Sequence, residues 1–213
     1  MIKSKKTLLN WLGLLGIVSL ISYAAAVVFA PLAYPGYDWM SRAVSDLSAV
    51  NAPSLALWHR LSSLYGVAGI TCIMAACIVI RGKLNKTLRI GIYIFAVMFW
   101  VSIVGYGMFP LSESNAIGTA FQDIAHIAVT AVVVLLSVIS LVLIMIGGYR
   151  KKRFVSLAIC ATIALTLMFV GAIGTGVAPR EYFGVFQRFS NLIAANGFLA
   201  TLGIYLFIGK LES

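Results

Sequence analysis

The sequence predicts an all-α polytopic membrane protein, a single bundle of six transmembrane helices, on three observations. Hydrophobic residues make up 62% of the 213 positions and mean hydropathy is +1.02, where a soluble domain is roughly half apolar and a quarter charged. Six apolar runs reach the roughly 20 residues that span a bilayer. Basic residues cluster in alternate connections between those runs.

The runs fall at about 9–31, 54–80, 89–109, 120–147, 154–177 and 187–208. The first follows Lys3, Lys5 and Lys6, and Ala24 to Ala26 imitates a cleavage site. Its apolar stretch exceeds the roughly 7–15 residues of a signal h-region, which predicts a retained helix. No soluble domain fits between the runs, so residues 1–213 are expected to form one domain.

Loop charge sets an expected orientation. Twelve of the sixteen basic residues (Lys3, Lys5, Lys6, Arg81, Lys83, Lys86, Arg89, Arg150 to Arg153 and Lys210) fall on one side, which predicts both termini in the cytoplasm of a cell-membrane protein. The other side carries Arg42, Arg60, Arg180 and Arg188 against Asp38, Asp46, Glu113, Asp123 and Glu181, nearly balanced as paired charges would be. A net charge of +10 could suggest nucleic acid, but clusters split by apolar runs lack a solvated basic face, so no nucleic-acid partner is expected. Cys72, Cys77 and Cys160 all lie inside apolar runs without CxxC spacing and read as small packers.

The long connection is 34–53, whose turns are marked by Pro31, Pro35, Gly36 and Pro53. A loop of that length is expected to act as a lid, with Ser45 or Asp46 capping a short helix. The two histidines, His59 and His126, sit five or six residues inside the outer ends of their runs. Asp123 precedes His126 by three residues, so both share a helix face, which continues through Thr119, Thr130 and Ser137. The second run offers His59, Ser62, Ser63 and Gly66, and the sixth offers Gln187, Arg188, Asn191 and Asn196. Three polar faces thus point to one outward-opening pocket. Gly105, Gly107, Gly171, Gly174 and Gly176 read as close helix contacts.

Ionisable groups inside a span are functional by default. His126, Asp123, His59 and Asp46 are therefore the catalytic candidates, with His126 as acid or base. Ser45, Arg60, Arg188 and Asn191 are the ligand-binding candidates, an arginine holding an anionic group. Ser45 as nucleophile lacks a G-x-S-x-G elbow. His59, His126 and Asp123 form the one available ligand set for a divalent metal; bis-histidine haem is disfavoured by the charges of Asp123 and Arg60. The alternative is structural, with Asp123–Arg188 or Asp46–Arg60 as buried ion pairs. The expected partners are membrane lipids, bound or modified through a headgroup, with a lipid-organising scaffold and a small transporter as rivals. No Gly/Pro-broken helix pair marks a transport site.

Tyr34-Pro35-Gly36, Val44 to Ala49 with Ala52-Pro53, Gly107 to Pro110, the His126 helix and Gly184 to Arg188 together resemble the prokaryotic membrane-protein family known as DUF998. That resemblance covers nearly the whole chain and implies six membrane helices without implying an activity. The Ser45-Asp46 and Pro53 element is also similar, more distantly, to the Frag1/DRAM/Sfk1 group, linked to lipid organisation, although Ser54 replaces that group's acid after the proline. Ceramidase-like hydrolases need a third histidine that this chain lacks.

Overall fold

The structure, a computed structural model, describes residues 6–112 and 120–212. Lys3, Lys5, Glu113 and Thr119 lie outside the described residues. Helices dominate and no strand occurs among the described residues. Six of the helical segments are long and apolar enough to cross a membrane: α1 (Leu8–Ala33), α2 (Leu55–Val79), α3 (Lys86–Met108), α4 (Phe121–Tyr149), α5 (Lys152–Val177) and α6 (Arg180–Phe207).

Two of the spans, α1 and α3, begin where a local side chain satisfies free backbone N–H groups. Thr7 and Asn10 form a reciprocal capping box at α1. The Asn85 side chain accepts from the Leu88 N–H at 3.0 Å to start α3 and donates to the Gly147 carbonyl of α4 at 2.9 Å. The sixth span begins earlier than position 187. Pro179 precedes a turn at Arg180–Tyr182 and the helix proper starts at Phe183, four residues before the expected start.

The helices close into a ring in chain order, with α6 against both α1 and α2. In lipid no hydrophobic force separates helix from tail, so close approach at small residues has to drive association. A Cβ at Gly13 would strike the backbone of α6 at Gly203, and one at Gly147 would strike Leu88 of α3. Gly171 and Gly174 meet Ser190 and Phe186 of α6, and Gly105 meets Val129 of α4, as expected. Gly107 and Gly176 meet nothing within 4 Å and are not helix contacts.

Two of the spans are broken. Helix α2 interrupts at Ser62–Leu64, between Leu55–Leu61 and Tyr65–Val79. Helix α1 braces the break: Ser22 Oγ donates to the Leu61 carbonyl at 2.6 Å on one side of it and Ser19 Oγ to the Tyr65 carbonyl at 2.8 Å on the other. Helix α6 widens into a π-helix over Phe189–Asn196. Within it the Asn196 side-chain Nδ2 donates to the Asn191 carbonyl at 2.9 Å. Neither break carries the Gly/Pro signature that sequence reasoning sought.

At the end of the bundle where α1 starts and α6 finishes, Asn10 bonds the Leu206 carbonyl at 3.0 Å and the Glu212 side chain. That half is filled by Ile73, Phe95, Leu141, Ile144, Leu199 and Leu202, all fully buried. The opposite half is not filled, and loop 34–53 covers it.

Candidate functional site

The loop is a fixed lid. Gly36, at φ +74° where side chains are strained, turns the chain. The Tyr37 hydroxyl then donates to the Ala43 carbonyl at 2.8 Å. Asp38 accepts from the Ser41 hydroxyl at 2.6 Å and the Met40 N–H at 3.0 Å; these bonds hold its carboxyl below the ordinary aspartate value. A short 3₁₀ turn follows at Val44–Ser48. Neither Ser45 nor Asp46 caps it, because Ala43 stands at the cap and Asp46 lies inside the turn, 4% exposed.

The first turns of α6 clamp this lid. Gln187 Oε1 accepts from the Val44 N–H at 2.6 Å, and the Val185 N–H donates to the Met40 carbonyl at 3.2 Å. Arg188 donates to the carbonyls of Trp39 at 2.6 Å, Gly184 at 2.8 Å and Arg42 at 3.3 Å, and to the Tyr37 hydroxyl at 3.0 Å. A Cβ at Gly184 would run into the same Trp39 and Arg42 carbonyls, so only glycine lets the lid come this close. On the far side, the Val50 N–H reaches the Leu111 carbonyl at 3.0 Å.

Beneath the lid lies a cavity of about 860 Å³, bordered by all six helices. Val44, Ser45, Ser48 and Val50 form its roof. The interrupted α2 contributes Trp58, His59, Ser62 and Tyr65, and α3 contributes Phe99, Ser102 and Tyr106. An aromatic wall runs through Trp58, Tyr23, Tyr65 and Phe99, with successive ring centroids 5.8, 4.8 and 5.6 Å apart. The π-helical part of α6 supplies Ser190, Asn191, Ala195 and Asn196. This volume lies within the range of small-molecule sites.

The sequence-predicted residues divide into two groups. His59, His126, Ser45 and Asn191 border the cavity; Asp46, Arg60, Asp123 and Arg188 do not. Ser63 is exposed and also absent from the lining. His126 Nδ1 stands 2.8 Å from the Phe109 carbonyl. A carbonyl only accepts, so Nδ1 carries the proton and Nε2 is the acceptor of the neutral ring. The Tyr106 ring lies 5.0 Å away, and its hydroxyl donates to Thr130 at 3.0 Å.

Asp123 and His126 share a face as predicted, but they serve different partners. The Asp123 carboxylate is fully buried and accepts from the Ser112 N–H at 2.9 Å and the Ser112 hydroxyl at 2.6 and 2.7 Å. Gln122 donates to the Pro110 carbonyl beside it at 2.6 Å. The pair therefore ties the end of α3 to the start of α4, where a negative charge also suits the helix N-terminus. Asp123 does not orient the imidazole, and Arg188 is engaged with the lid in place of an acid.

The expectation that His59, His126 and Asp123 gather around a metal is also corrected. Among the described residues no group of three or more His, Cys, Asp or Glu side chains is placed to hold one. Sequence reasoning missed Ser112, Gln122 and Tyr37, ordinary polar residues: Ser112 pairs with the Asp123 carboxylate, while Gln122 and Tyr37 donate to backbone carbonyls; the tyrosine in Tyr34-Pro35-Gly36-Tyr37 was the only signal available for the last.

No curated protein and no solved structure matches the chain. The motifs that carried the resemblance fall on the lid (34–53), its clamp (Gly184 to Arg188) and the Phe109 and Pro110 carbonyls that meet α4. The family profile described as "Protein of unknown function (DUF998)" matches residues 17–205, and the chain, a multi-pass membrane protein, belongs to that family.

Proposed function

We propose that the cavity under the lid binds an amphiphile, a membrane lipid or a molecule of like chemistry, and that the lid end faces the outside of the cell membrane. The observation that carries this reading is the cavity itself: about 860 Å³ of space, bordered by every span, with aromatic and aliphatic walls and a small number of placed polar groups. The basic clusters Arg81 to Arg89 and Arg150 to Arg153 at the opposite end support the orientation.

The reading is of binding. The Asp123 carboxylate accepts from Ser112 and the His126 Nδ1 is taken by the Phe109 carbonyl, so these two side chains do not work as the paired acid and base of a hydrolase. A through-pathway would have to cross the filled half, where Phe95, Leu141 and Leu199 are fully buried. A protein that holds or organises lipid without turning it over needs neither.

Native mass spectrometry of the full chain in mild detergent tests the reading, with Ser102→Phe as the comparison because Ser102 borders the cavity. A lipid-mass adduct retained by the wild type and lost in a folded Ser102→Phe supports it. Equal adducts in both would place the lipid on the outer surface and overturn it.

A further inference from the structure

Helices α4 and α5 run antiparallel, and one stripe on each follows their seam. Residues seven apart lie on nearly the same side of a helix, because seven residues make close to two turns. On α4 the stripe is Val134, Leu141 and Gly148; on α5 it is Ala158, Leu165 and Ala172. At the end opposite the lid the two touch: a Cβ at Gly148 would come within 2.9 Å of the Ala158 Cβ, and the Tyr149 hydroxyl meets Thr162 Oγ1 at 3.0 Å. Antiparallel register then sets Leu141 at the level of Leu165, and Val134 at the level of Ala172.

Towards the lid this seam opens. Ala158 and Leu141 are 0% exposed and Leu165 packs half-buried against the core, but Val134 is 45% exposed and Ala172 is exposed. Four residues further, at the level of Thr130, a Cβ at Gly176 would meet nothing within 4 Å. Thr130 and Val134 of α4, with Ala172 and Thr175 of α5, also border the cavity, so the opening is continuous with it. From Leu165 to the end of α5 at Val177 the chain rises roughly 18 Å at 1.5 Å per residue, more than half of the roughly 30 Å hydrocarbon core. Leu135, Phe169 and Ile173 beside the slot are apolar and exposed, as hydrocarbon surroundings require. The seam between α2 and α3 is bridged instead, by the Tyr65 and Phe99 rings at 5.6 Å and by Gly66 against Ile103.

Resting on the cavity reading above, we infer that the ligand is a lipid of the surrounding leaflet, admitted sideways between α4 and α5, with its headgroup under the lid and an acyl chain lying in the slot between Val134 and Ala172. Such a lipid keeps its tail in hydrocarbon throughout, so binding exposes no apolar surface to water. Its polar end meets two histidines, His59 and His126, and the hydroxyl groups of Ser45, Ser102 and Thr130. With Nδ1 of His126 held by the Phe109 carbonyl, Nε2 is the ring atom left for a ligand. It accepts from a hydroxyl when neutral and donates to a phosphate when protonated.

The test titrates the purified full chain in detergent with dioleoylphosphatidylglycerol and, separately, its dihexanoyl analogue, which share a headgroup and differ in chain length. Binding is read by native mass spectrometry, with thermal unfolding alongside. Ala172→Trp and Val134→Trp fill the slot from its two sides, and Ile163→Trp, exposed on α5 outside the lining, is the control. The expected result is dioleoyl lipid bound at least about tenfold more weakly by each slot variant, dihexanoyl lipid within about twofold of wild type, and neither changed by Ile163→Trp. Melting temperatures should hold, because the substituted positions are exposed. Ala172→Leu serves should the tryptophans fail to fold. Dioleoyl affinity unchanged in the slot variants, or an equal loss for both lipids, overturns the inference; if Ser102→Phe then still abolishes binding, the cavity reading survives. No saturable binding of either lipid, or binding indifferent to Ser102→Phe, overturns both.

Discussion

The Arg188 guanidinium donates to the Trp39 carbonyl at 2.6 Å, joining residues 149 apart in sequence and fastening the lid to α6. The same group reaches Arg42, Gly184 and Tyr37, a fan of bonds that a planar guanidinium can make and an ammonium cannot. Arg188→Gln is expected to cost about 1.5–3 kcal/mol, the range of a charge-assisted hydrogen bond, with Arg188→Lys recovering only part of it. Tryptic cleavage after Arg42 reports the lid directly and should accelerate in both variants. Cleavage at the wild-type rate would show that the lid is held by other contacts.

Asp123 and Ser112 should behave as a coupled structural pair. A double-mutant cycle of Asp123→Asn and Ser112→Ala is expected to give a coupling of about 0.5–3 kcal/mol in stability. The lipid adduct seen by native mass spectrometry should be retained in each folded variant, since Asp123 is outside the lining. A loss of binding that exceeds the loss of stability would return Asp123 to the ligand site.

Burial raises the Tyr37 phenol above its ordinary value of 10.0, with the Arg188 charge opposing that shift. The folded protein thus holds this proton more tightly than the unfolded chain does. The resulting stability is complete below the unfolded value and is lost as pH rises through the raised folded value. Ultraviolet titration of phenolate in wild type against Tyr37→Phe should assign Tyr37 a value above 10.0, and the alkaline fall in stability should be smaller in the variant. A difference spectrum that titrates below the ordinary value would contradict the buried lid.

Cysteine reactivity separates a closed cavity from a transport path. Ser102→Cys borders the cavity and should react with a small membrane-impermeant thiol reagent from the lid side. Ser137→Cys, at a position 2% exposed, should resist from either side. Labelling of Ser137→Cys from the end opposite the lid would expose a water path and favour the transporter reading.

His59 and His126 were legible as cavity residues because an imidazole near the end of an apolar run has few alternatives. Asp123, Arg188 and Asp46 were legible only as charges that need partners. Sequence reasoning paired them with one another or with a ligand, but Asp123 and Arg188 are bound to Ser112 and to lid carbonyls. Backbone carbonyls and N–H groups occur at every position, so no residue pattern announces which of them a side chain will meet.

The π-helix escaped for a related reason. Phe189 to Asn196 has no glycine or proline, and the segment lies packed against α5 in the folded bundle. What the sequence by itself determined is the six-span all-helical bundle and the existence of a long outer loop, because apolar run length and turn residues act locally. Only the tertiary structure decided that the loop closes as a lid, that Arg188 serves this lid and Asp123 the α3–α4 connection, and that the cavity beneath is lined without aspartate, glutamate, lysine or arginine among the described residues. Those outcomes depend on which backbone groups the folded helices bring within about 3 Å of each side chain, the reach of a hydrogen bond.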